Sequence, residues 1–331
     1  MKFLLALVLV TALGLLAATG TSLLGLYGLF AFWIPYAAIL IFAVGMVVRV
    51  IRWARSPVPF RIPVTCGQQK SLPWIRTNAL DNPHSGWGAV GRMALEILLF
   101  RSLFRNTRAA VLPKQRRIVF GPDKWLWFGA LAFHWSLLVI LLRHLRLFTA
   151  PVPGWVVGLE SLDGFFQVGV PVFFASSVLF LAAGTFLLVR RLLSPQLRYI
   201  SILGDYFAVV LLLGIGSTGF FLRHVLKTDV SAVKELAVGL VHFSPVASPD
   251  LHWLFYAHLF LVSVLFAYFP FSKLVHLGGI FLSPTRNLVN NNRAKRHVNP
   301  WDTPVPVHTY QEYEEEFRDK MVAAGIPVEG K

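Results

Sequence analysis

Six runs of 16 to 25 mostly apolar residues govern what this chain can fold into: roughly Phe3–Ala18, Phe32–Val50, Trp125–Leu142, Phe165–Val189, Tyr206–Leu222 and Trp253–Leu277. A hydrocarbon layer of ~30 Å takes ~20 such residues wound as a helix. Lipid offers no partner for unpaired backbone N–H and C=O groups, so each run is expected to cross as an α-helix. The expected fold is all-α, a polytopic membrane bundle of about six spans. Charged residues make up only 14% of 331 positions, against roughly 25% in an ordinary soluble domain. The first run follows Lys2 and is read as a retained span, because no small-residue cleavage site precedes a polar stretch.

The net charge of +15 is an orientation signal and not a nucleic-acid footprint, because the basic residues crowd beside the spans. Fourteen Lys or Arg lie between Arg49 and Lys124, three in the turn of Arg190, Arg191 and Arg198, eight from Lys273 onward, and Lys2 joins them. The opposite side receives Arg143, Arg146, Arg223, Lys227 and Lys234. Twenty-six against five places both termini in the cytoplasm of a prokaryotic cell by the positive-inside rule, with the long loop discounted.

The organisation follows. Residues 1–52 hold two N-terminal spans, 53–124 a Pro-rich basic loop, 125–277 four spans, and 278–331 a polar tail. Within the loop, Trp87 to Phe104 is expected to form a helix resting at the membrane surface or against a partner, with Arg92 and Glu96 on one side; a short seventh span is the alternative. In the tail, Pro300 to Pro306 is extended. Thr309 and Glu312 form a capping box, opening a helix whose Tyr310, Tyr313, Phe317 and Met321 share a stripe, too small for a core but suited to docking on a cytoplasmic subunit. The sole cysteine, Cys66, is read as an inert loop thiol. It rules out a disulfide within the chain and a thiolate-ligated cluster.

Four of ten His residues, His134, His144, His258 and His276, lie in apolar runs. An imidazole there needs a partner, and intramembrane ionisable residues mark function. The third and sixth spans run antiparallel, so His134 shares the inner half with His276 and His144 the outer half with His258. Two imidazoles from facing helices can be the axial ligands of one haem iron, so two stacked b-type haems are expected. Ten residues separate one pair of positions and eighteen the other, rises of ~15 and ~27 Å, so tilt, slanted haems or a kink at Pro270 must absorb the difference. Arg190, Arg191, Arg198 and Lys273 are candidate partners for inner haem propionates. Arg143 and Arg223 are candidates for outer propionates or for a quinol site. His224, His252 and His242 lie on the outer side, where they either face water or take protons from a quinol. His84, His297 and His308 are ordinary loop and tail residues.

The segments FHWSLLVILLRHL, RRLLSPQLR and YAHLFLVSVLFAYFPFSKLVHLGG, in that order, resemble the gamma (cytochrome b) subunit of respiratory nitrate reductases over Trp125 to about Arg296. The extra first span, the basic loop and the tail RAKRHVNPWDTPVPVHTYQEYEEEF look instead like the M subunits of the DsrMKJOP complexes associated with dissimilatory sulfite reduction. The resemblance implies a dihaem cytochrome b core with the same His pairs. It also implies electron exchange between menaquinol or menaquinone and a cytoplasmic iron–sulfur subunit similar to the heterodisulfide reductase catalytic protein. Implied companions are a multihaem cytochrome c, a periplasmic ferredoxin-like protein and a second quinone-interacting membrane protein. The direction of electron flow is left open. The alternatives are a gamma-type subunit of another reductase such as nitrate reductase, a non-redox anchor, or a transporter, the last disfavoured because the interior polar groups are chiefly His.

Overall fold

A computed structural model describes residues 1–56, 74, 78–112, 116–164, 173–283, 287–290 and 306–329. The elements in chain order are α1 (Lys2–Ser22), α2 (Leu29–Ala54), α3 (Gly86–Leu99), α4 (Arg101–Phe104), the antiparallel strands β1 (Thr107–Leu112) and β2 (Arg117–Pro122), and α5 (Lys124–Phe148). Then come α6 (Gly154–Asp163), α7 (Ala175–Leu193), α8 (Pro195–Ile200), α9 (Leu203–Phe220), α10 (Val230–Val241), α11 (Trp253–Tyr268), α12 (His276–Gly279) and α13 (Tyr310–Ala323). Among the described residues six helices are long and apolar enough to cross a membrane: α1, α2, α5, α7, α9 and α11.

The spans pack in a chain of neighbours. α5 lies on α7, α7 on α9 and α9 on α11, while α1 fills the groove between α9 and α11 and α2 covers another flank of α11. Lipid tails are as apolar as leucine, so close packing holds such helices together better than hydrophobicity does. The contacts accordingly pair small residues with rings and branched chains: Ala6 and Val10 with Tyr206, Leu211 and Leu261, and Ala183 with Phe133 and Phe180, whose rings stack at 4.9 Å. Lys2 Nζ donates to the Ser201 carbonyl at 2.7 Å. The chain start and the turn between α7 and α9 therefore lie at the same end of the bundle. Asp123 caps α5 by accepting from Leu126 N at 3.3 Å, and its other oxygen takes Arg190 at 2.6 Å, tying α5 to α7 at that end.

Three expectations are revised. The last span does not run as a helix from Trp253 to Leu277. α11 stops at Tyr268 and the chain turns through two 3-10 turns, Phe269–Phe271 and Lys273–Val275, before α12. Pro270 supplies no N–H and its ring blocks a continuing α-helix. The break is packed: a Cβ on Gly45 of α2 would lie 2.7 Å from Pro270 Cβ, and Phe42 meets Phe266 and Phe269 edge-on. The fourth span begins at Ala175 instead of Phe165, residues 165–172 lying outside the described set. The helix expected over Trp87–Phe104 is broken at Phe100, which is left-handed (φ 49°, ψ 48°), and Arg92 and Glu96 are buried, not on an open face.

α3 is 14 residues long, ~21 Å and too short to cross. It lies beside the N-terminal half of α5, where Trp135 Nε1 donates to Leu98 O at 3.0 Å and Trp127 Nε1 to Leu99 O at 2.7 Å. Two carbonyls that a helix C-terminus leaves unpaired are thus satisfied by indoles of α5. The β1–β2 hairpin that follows was not anticipated from the sequence. The tail helix forms with the expected capping box, Glu312 N to Thr309 Oγ1 at 3.3 Å and Thr309 N to Glu312 Oε2 at 2.8 Å. Its Met321 is buried, whereas Tyr310 and Tyr313 are half exposed. Cys66, His297 and the extended Pro300–Pro306 stretch fall wholly or mostly outside the described residues. The start of the tail is pinned to the loop: Asn290 Nδ2 donates to Asn82 Oδ1 at 2.6 Å and Asn290 N to the Pro83 carbonyl at 2.8 Å.

Asp81 clamps this loop by accepting from both Arg101 and Arg105. The Arg101 hydrogen bond, opposed by burial and reinforced by Arg105, holds its carboxyl at about 2. A value depressed below the unfolded chain's means that the clamp stabilises above about pH 4 and is lost as pH falls toward 2. Amide hydrogen exchange in α3 and α4, corrected for intrinsic rates, should rise across that window. Asp81→Asn should show the raised exchange already at neutral pH, and unchanged exchange in that variant would refute the clamp.

Candidate cofactor site

α5 and α11 carry three of the four apolar-run histidines, yet they are not among the helix pairs in close backbone contact. α5 leans on α7, α6 and α10, whereas α11 leans on α9, α1 and α2. The imidazoles face across the interval that remains.

The rings of His134 and His276 lie 6.0 Å apart between centroids and nearly perpendicular, at 79°. A metal held between two imidazole nitrogens at ~2 Å each places the ring centres ~6 Å apart. His134 Nδ1 lies 2.7 Å from the Ala130 carbonyl and His276 Nδ1 2.8 Å from the Lys273 carbonyl. A carbonyl can only accept, so each Nδ1 carries the proton and Nε2 is left as the ligating nitrogen. His144 is held identically, by the Ile140 carbonyl at 2.7 Å. His258 is its counterpart on α11, close enough for the two rings to interact electrostatically. The His258 Nδ1 meets a hydroxyl, Thr218 Oγ1 of α9, at 2.9 Å. Beside it Gly219 lets α9 approach the ring; a Cβ there would lie 3.1 Å from His258 Cε1.

The break at Pro270 settles the spacing. Only the ten residues from His258 to Tyr268 rise as straight helix, ~15 Å, the same rise that separates His134 from His144. The turns beyond it bring His276 level with His134, on an exposed segment at the end of the bundle. Phe100 and Phe133 flank His134 edge-on at 5.1 and 5.3 Å. The left-handed backbone at Phe100, roughly 1–2 kcal/mol above the right-handed form, places its ring there.

Of the four cations expected beside inner propionates, all but Arg198 have a carboxylate partner among the described residues: Arg190 has Asp123, Lys273 has Asp205 at 2.7 Å, and Arg191 reaches Asp205 at 3.7 Å. Arg198 is exposed. At the other end of the bundle α6 is tied down by ion pairs, Asp163 with Arg143 and Glu160 with Arg146, while Arg223 stands 4.0 Å from Glu160. The Arg143 guanidinium also lies 3.7 Å over the Phe174 ring. His224 is buried beside Phe220, Phe173 and Phe174 at 4.7, 5.0 and 5.7 Å, on a π-wound turn (Phe221–Val225). His252 caps α11 by accepting from Leu254 N at 3.2 Å, and His242 bonds its own helix through the Val238 carbonyl. Both are exposed.

Sequence reasoning missed Thr218, Gly219 and Arg49. Arg49 Nε of α2 is buried with no hydrogen-bond partner among the described residues, and its guanidinium lies 5.6 Å over Trp53, which packs against Gly278 and Gly279 just after His276. The signal for Arg49 was a cation one turn inside the apolar run VVRVIRW. Among the described residues no three His, Cys, Asp or Glu side chains gather as a bare ion would require. Paired imidazoles suit a centre that brings its other ligands with it.

The family model of the nitrate reductase gamma subunit matches residues 85–296. The chain belongs to the nitrate reductase gamma subunit family. The family match begins about forty residues before Trp125, so it takes in α3 and the hairpin that sequence reading had assigned to an insertion. The Hdr-like menaquinol oxidoreductase cytochrome b-like subunit of Archaeoglobus fulgidus is 44% identical over 306 residues, covering 90% of this chain and 87% of the relative. With a tenth of the chain unmatched, that similarity extends into both the N-terminal spans and the tail. Its counterpart in Archaeoglobus profundus is also 44% identical, over 276 residues and 81% of each chain. The respiratory nitrate reductase 1 gamma chain of Escherichia coli is 34% identical over 114 residues, 32% of this chain and 51% of that one. Six apolar helices and this family make the chain a multi-pass membrane protein.

The seat of His258 can be tested on stability. Gly219→Val should lower the thermal denaturation midpoint in detergent, by overpacking of about 1–3 kcal/mol. Gly14→Ala, where nothing lies within 4 Å of the new Cβ, should not. Equal midpoints would show that α9 and His258 are not in close contact.

Proposed function

We propose that this chain is the dihaem electron-transfer subunit of a menaquinol-linked oxidoreductase. His134 and His276 would hold the iron of an inner haem b, and His144 and His258 that of an outer one. The observation that carries this reading is the 6.0 Å approach of His134 to His276 across two helices not packed on each other, each Nδ1 held by a carbonyl. The names of the 44% identical relatives, cytochrome b-like subunits of menaquinol oxidoreductases, support the same class.

Bound haem b would supply two one-electron carriers in series between a two-electron quinol and the opposite membrane face. The protein's part is position and charge. Carbonyl-held Nδ1 protons fix the tautomer and orientation of His134, His144 and His276. Arg49 and Arg198 face the inner centre as cations without carboxylate partners among the described residues. Arg190, Arg191 and Lys273 share theirs with Asp123 and Asp205 and join the inner set. Arg143 and Arg223 serve the outer propionates or the quinol head group. His224, with His252 and His242 nearer water, takes up protons released at the outer side, as the imidazole pKa suits. Moving a negative charge inward against an inside-negative potential costs ~2.3 kcal/mol per 100 mV, which the redox drop must exceed.

The basic loop, the pinned tail and α13 face the cytoplasm of a prokaryote in this reading, both termini inside. There they receive an iron–sulfur subunit of heterodisulfide reductase type, in a sulfite- or sulfate-respiring complex with a multihaem cytochrome c and further membrane and periplasmic subunits. Reduced-minus-oxidised spectra of the purified complex should show b-type bands, and extraction of its non-covalent haem should give two b haems per copy of this chain. Absence of such bands would overturn the reading. His134→Ala or His276→Ala should remove the inner haem alone, and loss of the other centre instead would show the pairing to be wrong.

A further inference from the structure

Three of the four span histidines are held through Nδ1 by a carbonyl three or four residues back, and the fourth is not. His258 meets Thr218 Oγ1 of another helix, at 2.9 Å. The carbonyl one turn before His258 on its own helix is Leu254, and the recorded partners of the ring all lie on α9. Thr218 Oγ1 also lies 2.9 Å from the Gly214 carbonyl and 3.0 Å from the Ile215 carbonyl, and the Ile215 carbonyl is within reach of the imidazole as well.

A threonine hydroxyl has one proton and two acceptor lone pairs. Both backbone contacts of Thr218 are to carbonyls, which accept only, so its proton is committed to its own helix. Towards His258 the hydroxyl can then only accept, and the Nδ1–H donates. Were the hydroxyl to donate to His258 instead, Nε2 would carry the proton and could not ligate a metal. The second feature is Gly219 beside the same ring: a Cβ there would lie 3.1 Å from His258 Cε1, so only a residue without one leaves the imidazole its ordinary room. Neighbouring residues of α9 thus form one seat.

We propose that Thr218 is the positioning residue of the outer haem, fixing the His258 tautomer and setting that haem's potential apart from the inner one. This rests on the dihaem reading above. A hydrogen bond from Nδ1–H raises the basicity of a ligating imidazole, and a hydroxyl already engaged as a donor is a different acceptor from the amide carbonyls serving His134, His144 and His276. The outer haem therefore has one ligand of each kind, His144 on a carbonyl and His258 on a hydroxyl. The inner haem has two on carbonyls. The reduction is a one-electron change at iron with the Nδ1 proton retained in both states.

The test is an optical redox titration of the purified complex, with Thr218→Val and Thr218→Ser beside the native protein. Loss of one wave in His144→Ala identifies the outer haem. Thr218→Val, nearly isosteric but without an acceptor, should move the outer wave to more positive potential and leave the inner wave in place; Thr218→Ser should titrate as the native protein does. An unmoved outer wave in Thr218→Val would overturn the proposal, with the Ile215 carbonyl then the sufficient partner. Equal shifts of both waves, or haem loss in Thr218→Ser as well as Thr218→Val, would also overturn it, showing a packing role alone. A native complex with no b-type bands would fail differently, by removing the dihaem reading itself.

Discussion

A polar ring in a medium without water must be given a partner, and much of this bundle is arranged to provide partners for four imidazoles. Each ring spends one nitrogen on the protein, a backbone carbonyl for His134, His144 and His276 and a hydroxyl for His258. That leaves the other nitrogen of each ring free of the backbone, with the His134 and His276 rings 6.0 Å apart. The two helices that face each other, α5 and α11, are kept from collapsing together by being packed elsewhere: α7, α6 and α10 support one, and α9, α1 and α2 the other. The N-terminal pair α1 and α2 therefore has a structural purpose, because without it α11 would have α9 alone to lean on.

The same economy governs the charges. A lone ion in a low-dielectric setting is costly, and the acids near the bundle ends are mostly spent on arginines and lysines: Asp123, Asp205, Glu160 and Asp163 each have cationic partners. The cations outside those pairs stand out for that reason. Arg49 is the clearest of them, on the helix that packs against the His276 segment, its buried guanidinium nitrogen without a hydrogen-bond partner among the described residues. It lies outside the region matched by the gamma subunit model, residues 85–296. The two N-terminal spans thus contribute both support and charge at the end of the bundle that carries His276.

Much was legible in the chain because lipid is a severe solvent. Runs of about twenty apolar residues have one spanning conformation open to them, so the number of spans and their order follow from hydropathy. The helix cap at Thr309 was legible because a capping box is a local reaction between residues three apart. The pairing of His134 with His276 followed from antiparallel direction alone. The hairpin of Thr107–Pro122 was not legible, since strands of six residues are told from irregular chain by their partners. The burial of Arg92 and Glu96 was missed for a related reason: a charge beside a membrane span reads as solvated until its neighbours are known.

By itself the sequence determined that this is a six-span membrane bundle with four imidazoles in two of its apolar runs, because periodicity, span length and residue type are properties of the chain. Only the tertiary structure decided how those imidazoles come level. The mismatch of ten residues against eighteen is removed by ending α11 at Tyr268 and turning at Pro270, a break stabilised by Gly45 and Phe42 of a helix more than two hundred residues away in sequence. Only the tertiary structure placed Thr218 and Gly219 of α9 beneath His258. A hydrogen bond between two helices forty residues apart depends on their relative rotation and depth, and neither is written in the spacing of either run.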